Sequence, residues 1–329
     1  LSNFLKPTRI VSTALGLLVR EMTLPALVWK NPVGSFAGAF EDTISIRLPA
    51  FIEADSRVLR SGTARNQRQL FETKVDLTLD TDIYLDVPIT DEQLTLDIVD
   101  FGGQVLNPMV AGIARKYETL LASTMEGATY ANEITFDLSS GDPYSDIAVA
   151  GRSYLNNAFV PYDGRVIVCG SQIEEAFLNS DKFIKANESG SDQTLREATI
   201  GRVAGMNVVS SPALSGDVAI VMHQTAFVLA TAAPVVPAGA PYGASSAYNG
   251  MALRLVRVFD PDAVEDRVIL DAWTGSDAVM DHGHYDADPD LGGKFVPVED
   301  PDTPITGETD AWANDDEQLV RAVLVTAVA

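Results

Sequence analysis

The chain has 329 residues, 46% of them hydrophobic, with a mean hydropathy of +0.08. That is enough apolar side chain to bury cores in two or three compact units and too much for a disordered chain. Lysine and arginine number 23 against 46 aspartates and glutamates, a formal net charge of −23, which excludes a protein that grips nucleic acid by neutralising phosphates. Its single cysteine, Cys169, excludes an intrachain disulfide and a cysteine metal cluster.

Taken in chain order, Lys6 and Arg9 before Ile10–Val19 have the outline of a signal peptide. Ser12, Thr13 and Gly16 dilute the apolar run, however, and Arg20-Glu21 closes it without a small-residue cleavage site. Residues 10–22 read instead as an amphipathic helix within an arm, residues 1–40. Its apolar face is more than the arm alone can bury, so a neighbour is expected to order it. The apolar stretch Val218–Ala240 is interrupted by His223, Gln224, Pro234 and Pro237, and no segment reaches the roughly 18 unbroken apolar residues of a spanning helix. A soluble, non-secreted chain is expected.

Ile44, Ile46 and Leu48 alternate as in a strand, as do Phe71, Thr73, Val75, Leu77 and Leu79, with Ile83–Val87 continuing the second run. Between them, residues 56–69 hold Arg57, Arg60, Arg65 and Arg68 and no acid. Residues 41–88 thus read as a long two-stranded hairpin with a basic tip. An isolated hairpin is marginal in water, so this one is expected to lie across another subunit, its arginines pairing with carboxylates there.

Thr90-Asp-Glu-Gln93 is a capping-box pattern that predicts a short helix to about Asp100. Leu106, Met109, Val110, Ile113, Tyr117, Leu120, Leu121 and Thr124 recur at three and four residues, predicting a long helix over 104–126 with Pro108 in its tolerant first turns. At about 1.5 Å per residue such a helix spans roughly 35 Å. Asp142-Pro143 predicts another helix over 144–158. The apolar run Val166–Cys169 reads as a buried strand with an inert thiol. Ser171–Leu178 reads as a helix, and residues 200–209 place Gly201 and Gly205 beside a strand. From 276 to 318, thirteen acids face one base, Lys294, and this segment reads as an acidic, loop-rich insertion. Residues 319–329 supply a closing strand.

Chemical motifs are absent where they would be diagnostic. No Gly-x-Ser-x-Gly elbow, phosphate loop or dinucleotide fingerprint occurs. Asp281-His-Gly-His-Tyr-Asp-Ala-Asp-Pro-Asp290 invites a calcium reading, but a loop starting at Asp286 has Leu291 and Pro297 where glycine and glutamate are needed. A solvated acidic loop is expected, with no metal and no cofactor. Cys169 with His223 could in principle be nucleophile and base, yet a thiol inside an apolar strand is rarely activated.

Four stretches carry a resemblance. Leu94-Thr-Leu-Asp-Ile-Val-Asp-Phe-Gly-Gly-Gln-Val-Leu-Asn-Pro108, Tyr154-Leu-Asn-Asn-Ala-Phe-Val-Pro-Tyr-Asp-Gly-Arg165, Thr199-Ile-Gly-Arg-Val-Ala-Gly-Met-Asn-Val208 and residues 222–275 follow in an order that resembles tailed-bacteriophage major capsid proteins. The nearest likeness is to the coat-protein branch of short-tailed enterobacterial phages, and the fold is one shared with encapsulins and the herpesvirus capsid floor. The resemblance implies an α+β fold with an N-terminal arm (1–40) and an extended β-hairpin loop (41–88). It also implies a peripheral domain (89–163, spine helix 104–126, return strands 252–275) and an axial domain (164–251). The acidic 276–318 segment has no counterpart in that pattern.

Implied partners are further copies of the chain in hexamers and pentamers, scaffolding and portal proteins, and a decoration protein. The subunit would enclose double-stranded DNA without sequence-specific binding and would not engage a membrane. It would assemble in the host bacterial cytoplasm and reside in the virion capsid. Some relatives cross-link a loop lysine to a neighbour's asparagine. Lys74, the only lysine of this loop region, lies on its strand, so that chemistry is not expected. Alternatives are an encapsulin-like compartment shell and a cytosolic α/β enzyme.

Overall fold

A computed structural model describes residues 7–30, 43–47, 56–60, 64, 74–90, 102–180, 201–240, 242–261, 265–285, 295–297 and 317–328. Two six-stranded sheets organise the described residues. The first has β1 (Trp29–Lys30), β10 (Phe227–Ala232), β13 (Glu265–Ala278), β12 (Met251–Asp260) and β11 (Tyr242–Tyr248) in that order, with β4 (Thr81–Thr90) on the free side of β13. The second runs β5 (Glu133–Asp137), β17 (Ala322–Val328), β9 (Val218–His223), β6 (Arg165–Cys169), β8 (Met206–Ser210) and β7 (Arg202–Val203).

Strand β13 is the axis of the first sheet. Antiparallel partners take both its sides: β4 pairs Thr90 with Glu265 through to Thr81 with Thr274, while β12 and then β10 occupy the other side in tandem. Alternation puts Ile83, Leu253, Leu255, Val268 and Leu270 on one face. Helix α3 (Asn107–Gly127) lies on that face, burying Met109, Val110, Ile113, Tyr117 and Leu121 at the spacing the sequence predicts, and Met125 besides. The helix begins one turn later than expected. A π-helical turn, Gly102–Leu106, precedes it, because Pro108 has no N–H for a regular α bond.

Helix α1 (Pro7–Glu21) corrects one expectation. Val11, Ala14, Leu15 and Leu18 are fully buried, and they are buried by this same chain, against α3, β11 and β12. The stripe at i, i+3, i+4 and i+7 is covered without a neighbour, so residues 7–21 belong to the subunit's own core. A one-turn helix, α2 (Leu24–Leu27), then leads into β1.

Of the hairpin, β2 (Thr43–Arg47) and β3 (Lys74–Thr78) pair antiparallel in the register Thr43 to Thr78, Arg47 to Lys74. Ile83–Val87 does not continue the hairpin as expected. It belongs to β4, because its alternate residues Ile83, Leu85 and Val87 pack under α3. Thr90 of the capping-box pattern ends β4; the short helix expected up to Asp100 lies outside the described residues.

The second sheet has its own core, centred on Phe136, Ile147, Leu155, Ile167, Phe177 and Val323. A π-helical turn Tyr144–Val149 runs into α4 (Ala150–Asn157), with the Tyr144 N–H donating to Asp142 Oδ1 at 3.2 Å. Helix α5 (Ser171–Asn179) follows β6. The sheets redraw the expected partition at 163/164 and 251/252. β5 and α4 sit with β6, while β10 and β11 sit with β13, because strand pairing over long sequence separations decides membership. The closing strand β17 is an interior strand, parallel to β5 and antiparallel to β9.

In the acidic region, β14 (Asp281–Tyr285) pairs with β15 (Phe295–Pro297) and β16 (Glu317–Gln318), so its described ends are strands rather than loop. Asp281 accepts from Arg321 Nε at 2.6 Å and from its Nη2, tying this small sheet to the start of β17.

Candidate assembly surfaces

The hairpin is fixed at its base and exposed at its tip. Ile46 and Leu77 are buried against Val228, Ala230 and Val279, on the face of the first sheet opposite α3. The Thr43 and Thr78 hydroxyls lie 3.0 Å apart, and Ser45 donates to Asp76. Lys74 Nζ is 2.8 Å from Asp76 Oδ2, and this bond, with the Ser45 bond, holds the Asp76 carboxyl below its ordinary pKa. Lys74 therefore has a partner on its own strand.

Arg57 and Arg60 lie in an exposed turn, with Val58 and Leu59 between them 77% and 84% exposed and Arg60 in the left-handed region at φ 66°. Arg65 and Arg68 lie outside the described residues. Sequence reasoning singled out the charge of this tip and missed the Val58-Leu59 pair, although two adjacent aliphatics inside a polar loop were a readable signal.

On the same face of the first sheet, Arg254 and Asp271 stand directly opposite each other on β12 and β13. Arg254 Nε donates to Asp271 Oδ1 at 2.9 Å, Nη2 donates to Oδ2, and Nη1 donates to the Val235 carbonyl at 2.6 Å. Arg267 pairs with Asp86 further along this face, whereas Arg257 pairs with Asp266 on the side of the sheet that α3 covers. Tyr84 and Trp273 stand exposed among these pairs. Burial and the neighbouring Asp271 push the Asp82 pKa up, with Arg254 opposing. Aromatic side chains beside satisfied arginines are the composition of a contact surface.

Glu118, on α3, gathers three parts of the subunit. Its carboxylate accepts from the backbone N–H of Thr23 and, at 3.0 and 3.2 Å, from that of Leu24, capping the entry to α2, and it also accepts from Ser211 after β8. Burial nevertheless raises its pKa, outweighing these bonds.

The residues considered for catalysis are not brought together. Cys169 is paired opposite Ala219 and His223 opposite Arg165, at the two ends of the β6–β9 ladder, a separation of roughly 13 Å at about 3.3 Å per residue. Burial pushes the Cys169 thiol up to about 12, so no thiolate is available. Burial also lowers the pKa of His223, whose Nδ1 lies 2.8 Å from the Thr225 hydroxyl. Among the described residues no group of His, Cys, Asp and Glu is arranged to hold a metal. Asp286, Asp288 and Asp290 of the calcium-like run lie outside them.

Comparison with known proteins agrees with this geometry. The family described as phage capsid protein matches residues 74–279. No curated protein matches the chain. Similar solved structures include a chain from Mycobacterium phage Che8, 16% identical with a TM-score of 0.58, covering 92% of this chain and 90% of that one. The capsid of Cyanophage P-SCSP1u is similar at 10% identity, TM-score 0.56, covering 93% and 88%. The acid-stable capsid of Helicobacter pylori bacteriophage KHP30 is similar at 10% identity, TM-score 0.55, covering 89% and 86%. At these identities the likeness is one of fold.

Proposed function

The chain belongs to the phage capsid protein family, and from that premise we propose that it is the major capsid subunit of a tailed double-stranded DNA phage, self-assembling into an icosahedral shell around the genome. It is a structural protein of the virion capsid and not an enzyme.

The observation that carries the assembly reading is the hairpin. Its base is packed and hydrogen-bonded to the subunit, while its tip presents Arg57, Val58, Leu59 and Arg60 to solvent. Such a tip suits a second subunit, with the aliphatic pair buried on docking and arginines, including Arg65 and Arg68, meeting carboxylates of the neighbour. Copies then meet again through the second sheet, in hexamers and pentamers. The net charge of −23 suits a wall that encloses DNA without adhering to it.

Scaffolding and portal proteins are the assembly partners this role requires, and the thirteen acids of residues 276–318 suit a basic surface on a decoration protein. Within the family we place the chain nearest the coat-protein branch of short-tailed enterobacterial phages, on the resemblance of residues 222–275.

Electron microscopy of particles from cells expressing the chain with its scaffolding partner tests the reading. Closed isometric shells are expected. Arg57→Glu with Arg60→Glu should leave the subunit's unfolding curve unchanged and lower the melting temperature of the shells. A chain that never assembles, or shells indifferent to the reversal, would count against it.

A further inference from the structure

The turn after α4 is held rigid from inside. Arg165, buried at the start of β6, donates from Nε to the Pro161 carbonyl at 2.8 Å and from Nη1 to Asn156 Oδ1 at 2.8 Å. Its Nη2 donates to the carbonyls of Val160 and, at 3.5 Å, Leu155. One guanidinium thus satisfies acceptors from four residues of a single turn. The same group lies 4.7 Å from the centre of the Tyr162 ring, and the Arg152 guanidinium lies 5.8 Å from it. Arg152 also donates to the Ala204 carbonyl at 2.6 Å, bracing the turn against the β7–β8 hairpin.

What this frame displays is aromatic. Phe159 is 65% exposed and Tyr162 is 66% exposed. Phe159 also has a φ of 55°, a left-handed conformation that a bulky side chain avoids and that persists only where its surroundings impose it. The strain holds a large ring outward, where it adds little to the subunit's own core. At the other end of the 144–157 helical segment, roughly 20 Å along it, an open cavity of about 560 Å³ is lined by Leu138, Pro143 and Ala176, with Asp142 and Glu175 in its wall.

We propose that the Asn156–Arg165 turn is a preformed knob that seats in this cavity of a second copy of the chain. Phe159 and Tyr162 enter against Leu138, Pro143 and Ala176. Arg165 within the turn and the half-buried Arg152 beside Tyr162 outnumber the turn's one carboxylate, Asp163, so the knob is cationic in a chain of net charge −23, and the cavity wall is anionic. Knob and cavity are different patches of one subunit, so the contact is head to tail and can close a ring around a symmetry axis. Preorganisation by Arg165 removes the cost of ordering the loop on contact. The inference rests on the reading that copies of this chain build a shell.

Phe159→Gly separates an interface role from a folding role. Glycine accepts φ 55° without strain, so the isolated subunit should melt at the same or a higher temperature while the particle yield falls about tenfold or more. A lowered subunit melting temperature would assign the ring to the fold and overturn the proposal, as would an undiminished particle yield. A second variant, Phe159→Cys with Ala176→Cys, reports adjacency directly, since Cys169 is buried and residue 176, on α5, lines the cavity at the end of the 144–157 segment far from residue 159. Oxidised particles should run as a ladder of linked subunits on a non-reducing gel; monomers alone would overturn the knob. Wild-type chains that form no particles would sink the shell reading itself, whereas normal wild-type particles with an unaffected Phe159→Gly would sink the knob alone.

Discussion

Gly275 of β13 lies directly against the Thr78 carbonyl at the end of β3: a Cβ placed on Gly275 would stand 1.9 Å from that oxygen. The hairpin therefore crosses the first sheet at backbone contact, and the direction in which its tip leaves the subunit is set there. Gly275→Ala should force the crossing strand away and cost about 1–3 kcal/mol in the isolated subunit. Chemical denaturation would measure the loss, and cross-linking of particles would report a displaced tip. Unaltered stability would mean that the crossing yields at no cost.

Glu118 sets a pH dependence whose sign can be worked out. Its folded pKa lies above the ordinary glutamate value of about 4.3, so the folded state holds the proton more tightly than the unfolded one. Its contribution is complete below the ordinary value and is lost as pH rises through the raised folded pKa. Glu118→Gln should keep the carbonyl acceptor for Thr23 and Leu24 and flatten stability against pH in that window. Glu118→Ala should cost about 1–3 kcal/mol at every pH, because the part-buried Leu24 N–H loses its acceptor. Urea titrations across pH 4–8 distinguish the two, and a Gln variant as pH-dependent as the wild type would refute the assignment.

Leu15, fully buried between α1 and the body of the subunit, tests the ownership of the arm helix. Leu15→Ala should destabilise the unassembled subunit by about 2–5 kcal/mol. Deletion of residues 1–30 should likewise yield an unfolded or aggregated subunit. Were the helix ordered only by a neighbour, both changes would leave the free subunit's unfolding curve where it was.

Arg254 and Asp271 form a largely desolvated pair in the middle of the first sheet, their side chains 17% and 6% exposed. Arg254→Leu should cost about 3 kcal/mol or more, since it strands the aspartate, while the double change to Leu at both positions should recover much of that loss. A double-mutant cycle in thermal unfolding gives the coupling. Additive losses would show the two residues to act independently.

Periodicity carried the reading where one element could decide its own fate. The stripe from Leu106 to Thr124 located the spine helix, and the apolar run at 166–169 located a central strand. Partnership was less legible. Nothing in Ile83–Val87 says whether its apolar face meets a hairpin or α3, and nothing in Val11–Leu18 says whose core it fills, because either answer satisfies the same spacing. The arginines of the hairpin tip were visible as a local charge anomaly. The strain at Phe159 and the inward role of Arg165 were not, since both depend on a turn whose geometry arises only once β6 and α4 are packed.

One consequence of the second sheet concerns time rather than shape. β17 stands between β5 and β9, so β5 has no partner in that sheet until residues far downstream have been synthesised. Such long-range closure is slow, and it leaves β5 and β9 with unpaired edges in the growing chain. A half-made subunit thus lacks the finished surface on which the α4 turn is mounted, and a ribosome-bound fragment offers its neighbours nothing complete to join. The order of strands in this sheet therefore leaves β5 without its partner until residues 322–328 have been translated.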